Sequence, residues 1–332
     1  MHELAFPLLV ALIVLALAFD FLNGLHDAAN SIATVVSTQL LSPLVAVMFA
    51  AVGNFAAYWL VGLHVARTVG SGIIDKDAVT PSVVLGALGG AMTWNVLTWL
   101  KGLPSSSSHA LIGGLLGAGI MHGGFAVVES AGTTKTVVAI VVSPMIGFAI
   151  AMLLMLLTSL IFQHTQPSRA NRTFKALHLI SSAAQSISHG GNDAQKTMGV
   201  IAVLLYSTGY LNGEFRVPEW VVLSCYTAMA LGTLSGGWRI IRTMGSRLTR
   251  LNHHSGFCAS TASSMVLFGA SAFGIPVSTT HAIAGSVVGT GAARRSSAVR
   301  WSVATRVVMA WFITIPASGT VAALVYLLAS LF

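Results

Sequence analysis

Residues 104–119 read PSSSSHALIGGLLGAG and residues 276–291 read PVSTTHAIAGSVVGTG. They align without a gap at an offset of 172 residues, so that Pro104, Ser106, His109, Ala110, Gly113, Gly117 and Gly119 meet Pro276, Ser278, His281, Ala282, Gly285, Gly289 and Gly291. In each stretch a proline and a run of hydroxyl side chains open a helix that continues in small residues, the pattern of a helix start followed by close helix packing. A second, weaker pair sets NGLHDAAN (23–30) against HGGNDAQK (189–196), with Gly24, Asp27 and Ala28 facing Gly190, Asp193 and Ala194. Two related pairs in the same order mark a duplicated chain. Its halves, residues 1–165 and 166–332, form one integrated unit.

The solvent of this chain is lipid. Of its 332 residues 55% are hydrophobic and 8% charged, against about 25% charged in an ordinary soluble domain. Residues 43–66 are almost wholly apolar, and 136–162 and 307–332 contain no Asp, Glu, Lys or Arg. Each exceeds the roughly 20 residues that carry a helix across a bilayer. The apolar segment at residues 4–19 follows Glu3 and precedes Asp20, not the basic start and small-residue cleavage site of a signal peptide, so it reads as a membrane helix. Cys225 and Cys258 lie in apolar segments and read as packing residues, with no disulfide or zinc pattern.

A net charge of +8 invites a nucleic-acid partner, but its distribution argues for a membrane protein. Twelve of the 17 basic residues fall in four places free of acidic residues: Lys101; Arg169, Arg172 and Lys175; Arg239, Arg242, Arg247 and Arg250; Arg294, Arg295, Arg300 and Arg306. The other connections hold Glu3, Arg67, Asp75, Lys76, Asp77, Glu129, Lys135, Glu214, Arg216 and Glu219. Cytoplasmic loops favour Lys and Arg, so the first set is placed inside and the second outside. The two sets alternate if crossings lie at 4–40, 43–66, 82–100, 105–121 and 136–162, and then at 176–210, 219–237, 254–271, 277–292 and 304–331. Five crossings per half is an odd number, so the expected fold is an all-α polytopic membrane protein of two inverted-topology repeats.

Ionisable residues within these segments are few: Asp20, His26, Asp27, His109, His189, Asp193, Lys196 and His281. Each buried charge costs about 2.5–3.5 kcal/mol on insertion scales, a burden that function explains better than decoration. Asp27 and Asp193 sit among Gly, Asn and His, and this predicts broken or re-entrant helices within 20–40 and 184–200. With Asn30 and Asn192 as neutral oxygen donors, they form a candidate site for a coupling cation, sodium or proton. The hydroxyl runs carry the opposite electrostatics. Ser106, Ser107, Ser108, Ser278, Thr279 and Thr280 at two helix N-termini suit a tetrahedral oxyanion, although the same residues also serve as plain caps. His109 and His281 follow these runs, and with His26 and His189 they are candidates for gating or orienting. GGNDAQKT (190–197) imitates a nucleotide-binding loop but lacks the preceding strand, and no HExxH or GxSxG element suggests an enzyme.

With copies reading NGLHDAANSIATVVST (23–38) and SHGGNDAQKTMGVIAV (188–203), joined to the Ser/Thr–His runs, the chain resembles the inorganic phosphate transporter (PiT) family over nearly its whole length. The resemblance implies import of inorganic phosphate coupled to a cation gradient, without further cofactor, by a homodimer in the bacterial cytoplasmic membrane. Two departures bear on the coupling ion. His26 stands where sodium-coupled members usually have Asn, and Lys196 stands where the first copy has Asn30. Lys196 is thus a candidate phosphate ligand, and the pair favours a proton-coupled carrier of metal-phosphate over a sodium-coupled one. A sulfate permease on the same scaffold and an anion channel are the competing readings.

Overall fold

The computed structural model describes residues 6–211 and 214–331; Glu3 lies outside them. Among the described residues there are helices and no strands, apart from one isolated antiparallel bridge between Ile74 and Val128. The long helices are α1 (Phe6–Ser37), α2 (Pro43–Leu60), α4 (Pro81–Lys101), α5 (Ser107–Gly123), α6 (Ser130–Ile161), α7 (Pro167–Ser207), α8 (Glu219–Ser235), α10 (His253–Ala272), α11 (Thr279–Arg294) and α12 (Trp301–Ala329). Two short ones, α3 (His64–Ser71) and α9 (Trp238–Arg242), lie in the connections. Local chemistry sets several ends. Thr80 caps α4 ahead of Pro81, Gly102 closes it in the left-handed conformation (φ 63°), and Asn252 and Ser255 form a reciprocal capping box on α10.

Among the described residues six helices are long and apolar enough to cross a membrane by themselves: α1, α2, α4, α5 with its continuation to Val127, α6 and α12. Their outer faces carry Leu153, Leu156, Leu160, Met309, Phe312 and Ile313, while the buried interior is rich in Ser, Thr, Asn and His. That is the inverse of a soluble protein. The other four expected crossings fall on α7, α8, α10 and α11. These are more polar or shorter, and packing among their neighbours replaces a lipid-facing surface. The segment 43–66 is not one crossing. It ends at Leu60, and α3 starts at His64 because the Gln195 carboxamide oxygen accepts from the free N–H groups of Val65 (3.0 Å) and Ala66 (3.2 Å).

The helices of 20–40 and 184–200 are unbroken, contrary to the reading of their Gly and Asn content: α1 and α7 run continuously through both motifs. Those small residues serve close packing. A methyl group on Gly24 would stand 2.2 Å from the Met229 carbonyl of α8, and one on Gly190 2.5 Å from the Asn54 carbonyl of α2. The interruptions lie at 102–106 and 273–278 instead, where each leads to a buried cap, Ser106 or Ser278.

Packing exchanges partners between halves. Gly113 and Gly117 of α5 press on the backbone of Ile315 and Gly319 in α12, and Gly285 and Gly289 of α11 press on Pro144 and Phe148 in α6. The loops segregate as well. Arg239 donates to the Leu100 carbonyl (2.8 Å), Arg294 to that of Arg250 (3.2 Å) and Thr243 to that of Gly102 (3.0 Å), so the basic connections gather at one end. At the other end the Asp75 N–H bonds to Val127, and Lys135 bonds to Phe273. α5 runs from the interior towards Ile74 and Val127; α11 runs from the interior towards Thr249 and Val299.

Candidate functional site

The N-termini of α5 and α11 meet in the interior against the middle of α1 and α7. Ser106 and Ser278 are the N-caps, accepting from the N–H of His109 and His281, each at 3.2 Å. The next hydroxyls turn to carboxylates. Ser107 donates to Asp27 (2.6 Å) and Thr279 to Asp193 (2.8 Å). Ser107 and Thr279 hold matching positions in the two runs, and Asp27 and Asp193 in the two motifs, so this bond is made twice. A second matched pair crosses over: Asn30 donates to Thr280 (2.9 Å), and Lys196, its counterpart, donates to Ser108. Asn30 also feeds Thr279 (3.1 Å), while Thr280 approaches Asp27 at 3.5 Å. All of these side chains are buried.

Lys196 is paired with Asp193 one turn away on α7 and also donates to the Val277 carbonyl (2.8 Å). A buried ammonium makes such bonds or it is not tolerated. Asp27 has no such cation. His26 Nδ1 lies 2.6 Å from its Oδ1, and the ring is held from behind by Thr98 at 3.1 Å. An ionised carboxylate only accepts, so Nδ1 carries the hydrogen.

His189 is oriented the other way. Thr233 donates its hydroxyl to the Met229 carbonyl (3.0 Å) and accepts from Asn54 Nδ2 (2.8 Å), which turns Asn54 Oδ1 towards His189 Nδ1 at 3.1 Å. Nδ1 therefore bears the hydrogen, and in neutral His189 the Nε2 lone pair faces Asp193 Oδ2 across 3.3 Å. Lone pair against carboxylate is repulsive, and a cation between them removes the conflict. Asp27, His189 and Asp193 indeed offer ligand atoms that all lie within 4.8 Å of one another. Sequence reading placed Asp27 and Asp193 at a cation site but His189 only among gating or orienting residues, because this convergence depends on α1 and α7 being neighbours.

Not every expected ligand is aimed here. The Asn192 amide nitrogen goes to Ser271 of α10 (3.1 Å), and among the described residues no bond joins Asn192 to either carboxylate. Asn30 Oδ1 and Asn192 Oδ1 are both buried without a partner. The His109 and His281 rings stand edge to face with centroids 4.3 Å apart, and His281 stacks on Trp311 at 3.7 Å. Neither nitrogen of His109 has a partner. Asn54, Thr98, Thr233 and Trp311 were missed from sequence. A lone Asn in the uncharged span 43–66 was the one available signal for Asn54.

Buried charge among helix N-termini, inside a bundle with an apolar exterior, is the build of a multi-pass membrane protein with a polar interior site. The chain belongs to the phosphate transporter family, whose profile it matches over residues 23–322. A Rhizobium meliloti (strain 1021) protein named "Probable low-affinity inorganic phosphate transporter" is 58% identical over 328 residues, spanning 99% of this chain and 98% of its own length. A Bacillus subtilis (strain 168) protein of the same name is 40% identical over 321 residues, with 96% of each chain covered. A solved structure described as "The sodium-dependent phosphate transporter" superposes with a TM-score of 0.91 at 25% identity, covering 98% of this chain and 100% of that one. The chain is accordingly a phosphate transporter, as the resemblance implied.

Proposed function

We propose that the protein imports inorganic phosphate by symport with a cation, protons over sodium, taking phosphate in its metal-bound form. The observation that carries this reading is the His189–Asp193 contact, where a lone pair and a carboxylate face each other beside Asp27. A cation there draws Asp27 and Asp193 away from Ser107, Thr279 and Thr280. The released hydroxyls, with Lys196 and the positive ends of α5 and α11, then hold the phosphate oxygens. Cation and anion binding thereby support each other. Lys196 already gives Asp193 a counter-charge, which leaves less for sodium to do and favours protons with a metal-phosphate. Ser106 and Ser278 position the two termini; His26, His109 and His281 orient or gate.

Uptake of radiolabelled phosphate into proteoliposomes tests this. An inward proton gradient should drive accumulation, added Mg²⁺ should raise it, and a sodium gradient alone should leave it unchanged. Accumulation driven by sodium alone would overturn the proton reading. In this proposal residues 1–165 and 166–332 act as inverted repeats of a homodimer subunit in the cytoplasmic membrane, basic loops inside. Single cysteines in 239–250 and 294–300 should then resist impermeant thiol reagents in intact cells; labelling of both from outside would refute the orientation.

A further inference from the structure

Asp20 belongs to none of the machinery above. It lies two turns before Asp27 on α1, and with Asn23, Asp27 and Asn30 it makes a stripe at positions i, i+3, i+7 and i+10, one face of the helix. At 1.5 Å per residue, Asp20 stands about 10 Å along the axis from Asp27. Its side chain is fully buried, and among the described residues no group near it meets either carboxyl oxygen in full hydrogen-bond geometry. Asn23 faces it from α1, Thr197 from α7 and Cys225 from α8, with Tyr226 also near. Asn23 Oδ1, the Thr197 hydroxyl and the Tyr226 hydroxyl are themselves buried and unpartnered. Asp193, itself paired with Lys196, is a charged neighbour that bears on it. Among the described residues no Lys, Arg or His forms an ion pair with Asp20. α8 packs tightly on α1 next to Asp20: a methyl group on Gly232 would stand 2.0 Å from the Phe21 carbonyl.

We propose that Asp20 is the carrier of the coupling proton, a site separate from the centre where phosphate and metal bind. A carboxyl group buried without a counter-ion is stable as the neutral acid, and the hydroxyl, thiol, phenol and amide around it suit both protonation states. A hard metal cation is a poorer occupant, since it asks for a shell of oxygens and one of the four neighbours is a thiol. The step is a simple transfer: a carboxylate oxygen takes a proton from water when the site opens to one side, and its O–H bond gives that proton to water on the other. No other bond changes. The inference rests on proton coupling as proposed above.

The experiment compares two modes of the reconstituted protein. Phosphate–phosphate exchange moves no net proton, whereas accumulation against a gradient needs one. A gradient of one pH unit supports up to about tenfold accumulation per coupled proton. Asp20→Asn should retain exchange but lose the accumulation that the proton gradient drives, and Asp20→Glu should restore part of it. A wild type that responds to the proton gradient beside an Asp20→Asn protein that responds equally would overturn the assignment to Asp20 alone. A wild type indifferent to the gradient would overturn proton coupling and this inference together. Should Asp20→Asn fail to fold, Thr197→Val probes the same pocket. It should displace the midpoint of the pH profile of accumulation, and an unmoved midpoint would count against the site.

Discussion

The first copy of the buried motif answers its carboxylate with a histidine next door, and the second with a lysine one turn away. Both carboxylates take a hydroxyl from the helix start of their own half, Ser107 to Asp27 and Thr279 to Asp193. Their partners differ: an imidazole ring beside Asp27 and an ammonium beside Asp193. A duplicated scaffold has thus been divided into a variable half and a fixed half. In the proposed reading the symmetric parts hold the anion, while the asymmetric parts flank the cation beside it.

The largest effect should come from the fixed half. Lys196→Met leaves Asp193 buried without its partner, and removing one member of a buried pair costs about 3–5 kcal/mol. We expect a clear fall in the thermal unfolding temperature of the detergent-solubilised protein. Stability should recover in the double variant Asp193→Asn with Lys196→Met; a double variant as unstable as the single one would show that the pair is not the cause.

The matched hydroxyls come next. Ser107→Ala and Thr279→Ala each remove one hydrogen bond to a charged group, about 1.5–3 kcal/mol or roughly 10- to 150-fold in phosphate affinity. Equilibrium binding to the purified variants should show similar losses. Wild-type affinity in both would place the anion elsewhere, and a loss in only one would end the symmetric account.

The smallest effect belongs to the support of the variable half. Thr98→Val removes the hydroxyl behind His26, worth about 0.5–1.5 kcal/mol. It should lower phosphate uptake modestly with little change in stability. Uptake equal to wild type would mean that the orientation of His26 has no part in transport.

Much of this was legible in the chain itself, because two ingredients repeat. The duplicated runs announced paired helix starts, the lack of charge in 136–162 and 307–332 announced the membrane, and the isolated Asp27, Asp193 and Lys196 announced the buried polar cluster that the helix starts meet. The continuity of α1 and α7 was misread. Glycine beside asparagine disfavours a helix in isolation, but here Gly24 and Gly190 admit neighbouring backbones, and tertiary packing prevails over propensity. The direction of His189 was not readable either. It depends on Asn54 and Thr233, residues of other helices far off in sequence that meet it only in the fold.

The glycine seams described above have a mechanical meaning. Gly117 leaves no room for a methyl group against Gly319, nor does Gly289 against Phe148, so α5 is keyed to α12 and α11 to α6 like teeth on two gears. Each hydroxyl-bearing terminus therefore rides on a lever fastened to the opposite half. Neither lever can swing while its seam is engaged unless its partner helix swings too. In the proposed cycle, a movement that opens the anion cradle to one side would carry structure from both halves at once, the seams sharing the work of a gate.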